Sequence, residues 1–327
     1  MASQNAKKPV LQVKSLSMVY NNRKVLDSLN LHVLDGEIFG LIGMSGSGKT
    51  TFLELLIGFL EPSEGEILYS ARLLEAKSED FVSLADNRDQ TKRVFGFATQ
   101  TPSFYDHLTV KENLEYFGTL YDLSTDIIQK NIATLLDVVG IASLQDILAG
   151  NLSSGMKKRL DIACALVHNP KILILDEPTA DLDVVGRKQI WGLVKRINTN
   201  GTTIIIASHL LDEIETLCDN IAVLHNRRIV SKGGVNALRQ LYADHEEVHF
   251  QTAKADYQQY KTIFNRPELK VERMIQQGRR LIVFSATPKE VLHYLLHFAD
   301  NLHDEVVDVS ISKPSLNDIF ERITKEK

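Results

Sequence analysis

The sequence predicts an α/β protein with a parallel-sheet core and a helical insertion, followed by a small α+β domain. Three patterns predict it. Apolar runs at 171–175, 203–207 and 220–224 alternate with helical segments at 184–199 and 210–218, as in a parallel sheet. From 109 to 167 the pattern is almost purely helical, with helices at 110–121, 124–139 and 154–167. Beyond 243–245 come strand, helix, hairpin, helix and strand. The hairpin strands are 271–273 and 281–285 around Gln277-Gly278, and the last strand is 306–311. That β-α-β-β-α-β order is ferredoxin-like. The predicted domains are 1–243, with the insertion at about 101–168, and 244–327.

The remaining elements follow in order. Residues 10–13 and 29–33 are short, partly alternating strands, and 38–42 is a nearly continuous apolar run. Asn21-Asn22 and Asp35-Gly36 are turn signals between them. A helix starts at about Lys49 and carries Phe52, Leu55, Leu56 and Phe59 at helical spacing. Strands at 66–69 and 94–98 flank a polar stretch, 76–92, with no period, which reads as an extended surface loop. A short helix at 316–323 closes the chain.

Composition narrows the function. The 327 residues are 44% hydrophobic and 24% charged, which excludes a disordered or collagen-like chain. The formal net charge of −5 argues against a protein that coats nucleic acid. The short basic runs Lys157-Lys158-Arg159, Arg227-Arg228 and Arg279-Arg280 read as solvated faces. Cys164 and Cys218 lack metal-ligand spacing and sit among apolar residues, as small hydrophobes do. No apolar stretch approaches the ~20 residues of a membrane-spanning helix, and the N-terminus has no apolar signal core. A cytosolic location is expected, with any membrane work needing another chain to span.

Two motifs carry chemistry. Gly43-Met44-Ser45-Gly46-Ser47-Gly48-Lys49-Thr50 matches G-x-x-x-x-G-K-[ST] between a strand and a helix. Glycines let the backbone curl so that successive N–H groups face one anion, and the helix N-terminus adds its dipole. Lys49 brings charge to the β and γ phosphates, and the Thr50 hydroxyl can ligate Mg²⁺. The apolar strand ending at Leu175 is followed by Asp176 and Glu177. Ligands of α/β sheets bind beyond the carboxyl ends of the strands, which puts Asp176 opposite Thr50 as a metal ligand. Glu177 could orient or deprotonate an attacking water. Seen alone, Asp-Glu-Pro is also an ordinary solvated turn.

Gln100, His209 and Leu152-Ser153-Ser154-Gly155-Met156 say little singly. Taken in order with the two motifs, they resemble the ATPase subunit of an ATP-binding cassette (ABC) transporter over residues 10 to 235. The resemblance implies a P-loop ATPase with an antiparallel β subdomain and a helical insertion. It gives Tyr20 the stacking contact with adenine, and Ser45, Gly46, Ser47, Gly48 and Thr51 a share in the phosphate loop. Gln100 would touch Mg²⁺ and sense a permease. Ser153 and Gly155 match the signature, Ala180-Asp181-Leu182-Asp183 the loop between subunits, and His209 the switch histidine at the γ-phosphate. Each ATP would lie between the phosphate loop of one unit and the signature of another, in a homodimer or heterodimer of cassettes. Residues 306–320 resemble a tail on ATPases that serve exporters with separate multi-helix permeases. The implied protein is a Mg²⁺-dependent, ATP-hydrolysing subunit at the cytoplasmic face of the membrane, bound through its permease, with no nucleic-acid partner.

The match is incomplete. Ser154 stands where the signature usually has glycine and Met156 where it has glutamine, while Asp181 and Val184 replace a common Gly and Pro. The alternative reading is a soluble ABC-type ATPase of assembly or translation, or a nucleotide-gated module with little turnover. Translation factors of this type carry two cassettes and chromosome ATPases a long coiled coil, neither of which is present. Glu177 and His209 argue for turnover.

Overall fold

The computed structural model describes residues 7–74, 78, 80–242, 245–313, 316 and 319–320. The chain divides into two compact units, Met1–Gly234 and Val235–Lys327. The expected boundary at 243/244 falls on residues outside those described.

In the first unit β1 (Pro9–Tyr20) and β2 (Arg23–Leu34) form a hairpin. Asn21 and Asn22, at φ 45° and 63°, supply the two left-handed positions of a tight hairpin turn. Both strands are longer than expected. Ser15 and Ser28, at φ 48° and 51°, lie at register shifts that break the period-two pattern on which the sequence reading rested. Then come β3 (Ile38–Ile42), α1 (Lys49–Leu56), β4 (Glu64–Ser70), β5 (Phe81–Ser83), α2 (Arg88–Thr91) and β6 (Phe95–Ala98). The insertion supplies α3 (Val110–Leu120), α4 (Thr125–Val139) and α5 (Ser154–Leu166). The core resumes with β7 (Ile172–Asp176), α6 (Val184–Thr199), β8 (Thr203–Ser208), α7 (Leu211–Leu217), β9 (Asn220–His225) and β10 (Arg228–Gly234).

These strands make two sheets. One is antiparallel, in the order β2-β1-β4-β5, and the other runs β10-β9-β3-β8-β7-β6. In the second, β3, β6, β7, β8 and β9 pair in parallel and β10 is an antiparallel edge. Every residue of β3, β7 and β8 is buried, as in strands covered on both faces. Phe52, Leu53, Leu55 and Leu56 of α1 belong to one core cluster with Leu11 and Leu29 of the first sheet and Ile174 and Ile205 of the second. The helix that opens at the phosphate loop is therefore fixed by both sheets.

Three further expectations for this unit need correction. Phe59 lies beyond α1 and is 74% exposed, because the helix ends before the left-handed Gly58. The stretch 76–92 is not a plain loop: β5 pairs with β4, α2 follows, and Leu84 packs into the core, while 76, 77 and 79 lie outside the described residues. The run Lys157-Lys158-Arg159 is not a solvated face. Lys158 is buried, and the Arg159 guanidinium donates to Val139 O and to Gln189, both at 2.8 Å. Cys164 and Cys218 are buried free thiols.

The second unit contains α8 (Val235–Tyr242), β11 (Glu246–Thr252), β12 (Val271–Gln277), β13 (Arg280–Ser285), α9 (Pro288–Asn301) and β14 (Val306–Ser312). Its antiparallel sheet has the order β12-β13-β11-β14, the ferredoxin-like arrangement. The first crossover is built from 3₁₀ turns, Gln259–Asn265 and Pro267–Leu269, where a helix was expected; Pro267 cannot continue one. Phe250, Tyr260, Val283, Val291 and Leu295 form a separate core. The helix expected at 316–323 and the tail 306–320 fall partly outside the described residues; Leu316 and Ile319, which are described, are buried.

Candidate active site

The loop 43–48 leaves the carboxyl end of β3 and enters α1 at Lys49. Its glycines have separate reasons. A Cβ on Gly43 would stand 2.6 Å from Leu224 O and from Ser47 Oγ, so only glycine fits against β9. Gly46 and Gly48 take φ 75° and 105°, which other residues rarely adopt. The loop can therefore curl over the first turn of α1, whose N–H groups have no acceptor within the helix.

The polar side chains converge on this loop. Lys49 is 6% exposed, and its Nζ donates to Gly43 O at 2.9 Å and to Met44 O at 3.3 Å. It also pairs with Glu177 Oε1 at 3.3 Å. Thr50 Oγ1 donates to Asp176 Oδ2 at 2.6 Å, joining the start of α1 to the end of β7. Asp176 Oδ1 is buried without a hydrogen-bond partner, and burial pushes this carboxyl above the usual carboxylate range. Glu177 sits at φ 46° just beyond β7, and its N–H donates to Ala207 O at 2.9 Å. That turn directs the carboxylate at His209, whose Nδ1 lies 2.8 Å from Glu177 Oε2 and whose backbone N–H donates to the same oxygen at 3.4 Å.

Ser45, Gly46, Gly48, Lys49, Thr50, Thr51, Gln100, Glu177 and His209 line one cavity of about 450 Å³, with Val25. An adjoining cavity of about 580 Å³ shares Val25, Ser45 and Gly46 with it and is lined also by Tyr20, Ser47 and Arg227. The loop thus separates a carboxylate-bearing cavity from one with an aromatic wall. Ser153 and Gly155 line neither. Ser153 caps α5, accepting from the Met156 N–H at 3.4 Å, and the Cβ position of Gly155 meets nothing within 4 Å. Within one chain the signature segment and the phosphate loop are not brought together.

The sequence reading missed Val25 and Arg227. Arg227 arrives from the β9–β10 turn at φ 71°, distant in sequence from every motif. Val25 follows Tyr20 across the hairpin turn, and only the β1–β2 pairing could have indicated it.

Comparison with known proteins agrees with this geometry. A model of the ABC transporter family matches residues 26–180. The Nod factor export ATP-binding protein I of Neorhizobium galegae is 37% identical over 239 residues, covering 71% of this chain but only 64% of that protein. Its counterpart from Rhizobium sp. (strain N33) is 30% identical over 317 residues, 97% of each chain, so that match includes the second unit. A solved ATP-binding subunit of an ABC transporter superposes with a TM-score of 0.62 at 30% identity, over 71% of this chain and 93% of that one. With Glu177 and His209 lining one cavity with the phosphate loop, and Asp176 bonded to Thr50 behind it, the chain belongs to the ABC transporter family, as an ATP-binding and ATP-hydrolysing subunit.

Proposed function

We propose that the protein energises export of a substrate through a separate membrane permease, hydrolysing Mg-ATP between two cassettes. One observation carries the reading: the Lys49–Glu177–His209 chain and Thr50, which is bonded to the buried Asp176 behind it, share the wall of a single cavity. Phosphoryl transfer needs positioning and charge stabilisation more than covalent chemistry, and this cluster supplies both. The loop amides and Lys49 bind the β and γ phosphates. Glu177, held by His209, accepts a proton from the attacking water, and His209 lies within reach of the γ-phosphate. Tyr20 stacks on the adenine.

The donor set fits Mg²⁺. Thr50 Oγ1 and the unpartnered, buried Asp176 Oδ1 are hard oxygen donors of the kind that ion takes alongside phosphate oxygens, and Gln100 faces the same cavity. The ion would neutralise charge developing on the phosphates. Ser153 and Gly155 serve the ATP of a second cassette, which accounts for their absence from both cavities beside this chain's own loop.

Among the described residues no helix is long and apolar enough to cross a membrane. In this reading the permease is a separate chain, through which the protein is held at the cytoplasmic face. The loop after Gln100 leads to a cleft of about 560 Å³ lined by Ile57, Arg93, Phe95, Phe97, Phe117 and Tyr121. The Tyr105, Tyr116 and Phe117 rings stack edge to face from that loop into the cleft. This surface receives the permease. Export is favoured by the names of the two relatives above. The test is co-expression with the multi-helix membrane protein of a neighbouring reading frame. Co-purification that stimulates ATP hydrolysis, and that is lost on changing Phe104 and Tyr105 to Ser with ATP affinity retained, supports the reading. ATP hydrolysis indifferent to any such protein favours the soluble alternative.

A further inference from the structure

Lys158 and Asp161 lie one and two turns into α5, the helix capped by Ser153. Both are buried, at 7% and 1% exposure. Lys158 Nζ donates to Thr99 O at 2.8 Å and lies 3.3 Å from Asp161 Oδ2. Asp161 Oδ1 accepts from the Ser103 N–H at 3.1 Å and from Ser103 Oγ at 3.2 Å. Thr99 and Ser103 stand on either side of Gln100, which lines the phosphate cavity. A further bond, from Thr99 Oγ1 to Thr101 O, closes the chain around Gln100 itself. The segment bearing Gln100 is thus fastened at both ends to one helix, and that helix begins at the signature.

A buried ion pair is a costly way to hold a loop, since an apolar pair of similar volume is commonly as stable or more so. Its directional bonds are what an apolar pair cannot supply. We propose that Lys158 and Asp161 are positioning residues that clasp the Gln100 segment to α5, so that a shift of Gln100 at the nucleotide is passed to Ser153 and Gly155. The clasp is a contiguous physical link between two parts of the site that share no cavity within one chain. The inference rests on the roles proposed above for Gln100 and Ser153.

The test replaces the ion pair by an apolar one, Lys158→Met with Asp161→Leu, in the full chain. Thermal stability should be at or above that of the unmodified protein. KM for ATP should stay within about twofold while kcat falls about tenfold or more, because the phosphate site is intact but its closing partner is out of place. Lys158→Arg, which keeps the cation and its donors, should retain kcat within about threefold. A folded double variant with unmodified kcat overturns the proposal, as does a Lys158→Arg protein as slow as the double variant. If the double variant does not fold, the near-isosteric Asp161→Asn decides: reduced kcat at unchanged KM supports the clasp, and unmodified kcat overturns it. Glu177→Gln, measured in parallel, leaves the clasp untouched. Full turnover in that protein overturns the reading of the site and not the clasp.

Discussion

On the proposed reading, Glu177 is the residue on which catalysis turns. Its left-handed backbone at φ 46° is unusual for a glutamate, and strain of this kind is kept where the surrounding structure imposes it. Here β7, the bond to Ala207 O and the contact with His209 impose it. Glu177→Gln keeps the shape but cannot take a proton, so ATP binding should persist while turnover falls by about two orders of magnitude or more. Equilibrium ATP binding and steady-state phosphate release measure the two. Lys49→Ala should instead abolish binding, since it removes the ammonium from the phosphate loop. His168 makes a prediction about pH. Its ring stacks on Tyr121, Nε2 lies 3.0 Å from Phe95 O, and burial lowers its pKa to about 4. A histidine whose folded pKa is depressed stabilises the fold above its unfolded value, near 6.5, and loses that contribution as pH falls towards 4. Between pH 7 and 5 the urea midpoint should fall more for the unmodified protein than for His168→Gln, by the equivalent of about 1–2 kcal/mol. An equal fall in both would show that His168 is not the source.

At the scale of elements, two of the three helices of the insertion, α3 and α5, carry side-chain caps at their N-termini. Thr109 caps α3 with a reciprocal capping box: its Oγ1 accepts from the Glu112 N–H at 3.1 Å, and Glu112 Oε2 accepts from the Thr109 N–H at 2.7 Å. Thr109→Ala should cost about 1 kcal/mol in chemical denaturation, with ATP affinity unchanged. The helices of the insertion were legible in the sequence because their apolar period is regular. The first hairpin was only half legible, because the bulges at Ser15 and Ser28 shift the alternation from one face to the other. The phosphate loop and the carboxylates after β7 could be read because their spacing is local. The Lys158–Asp161 clasp could not. A basic run beside the signature looks like a solvated face until α5 is packed against the segment around Gln100, a contact between residues about 60 positions apart.

At the scale of the molecule, each unit has a core of its own, and every nucleotide motif lies in the first. A chain ending at 243 should therefore unfold cooperatively and bind ATP with unchanged affinity; a folded truncation without ATP binding would place part of the site in the second unit. The larger claim is that one chain holds only half of a working site. Ser153 is exposed and the Cβ position of Gly155 meets nothing within 4 Å, and neither residue lines the cavity at the phosphate loop. The direct measurement is light scattering coupled to size exclusion on Glu177→Gln, with and without ATP. ATP should double the mass, because a nucleotide bound between two cassettes and not hydrolysed stabilises their union by mass action. Adding Gly155→Arg, at a position where a new side chain meets no neighbour in its own chain, should leave ATP binding intact and the mass single. A Glu177→Gln, Gly155→Arg protein that dimerises with ATP as readily as Glu177→Gln alone would contradict the account.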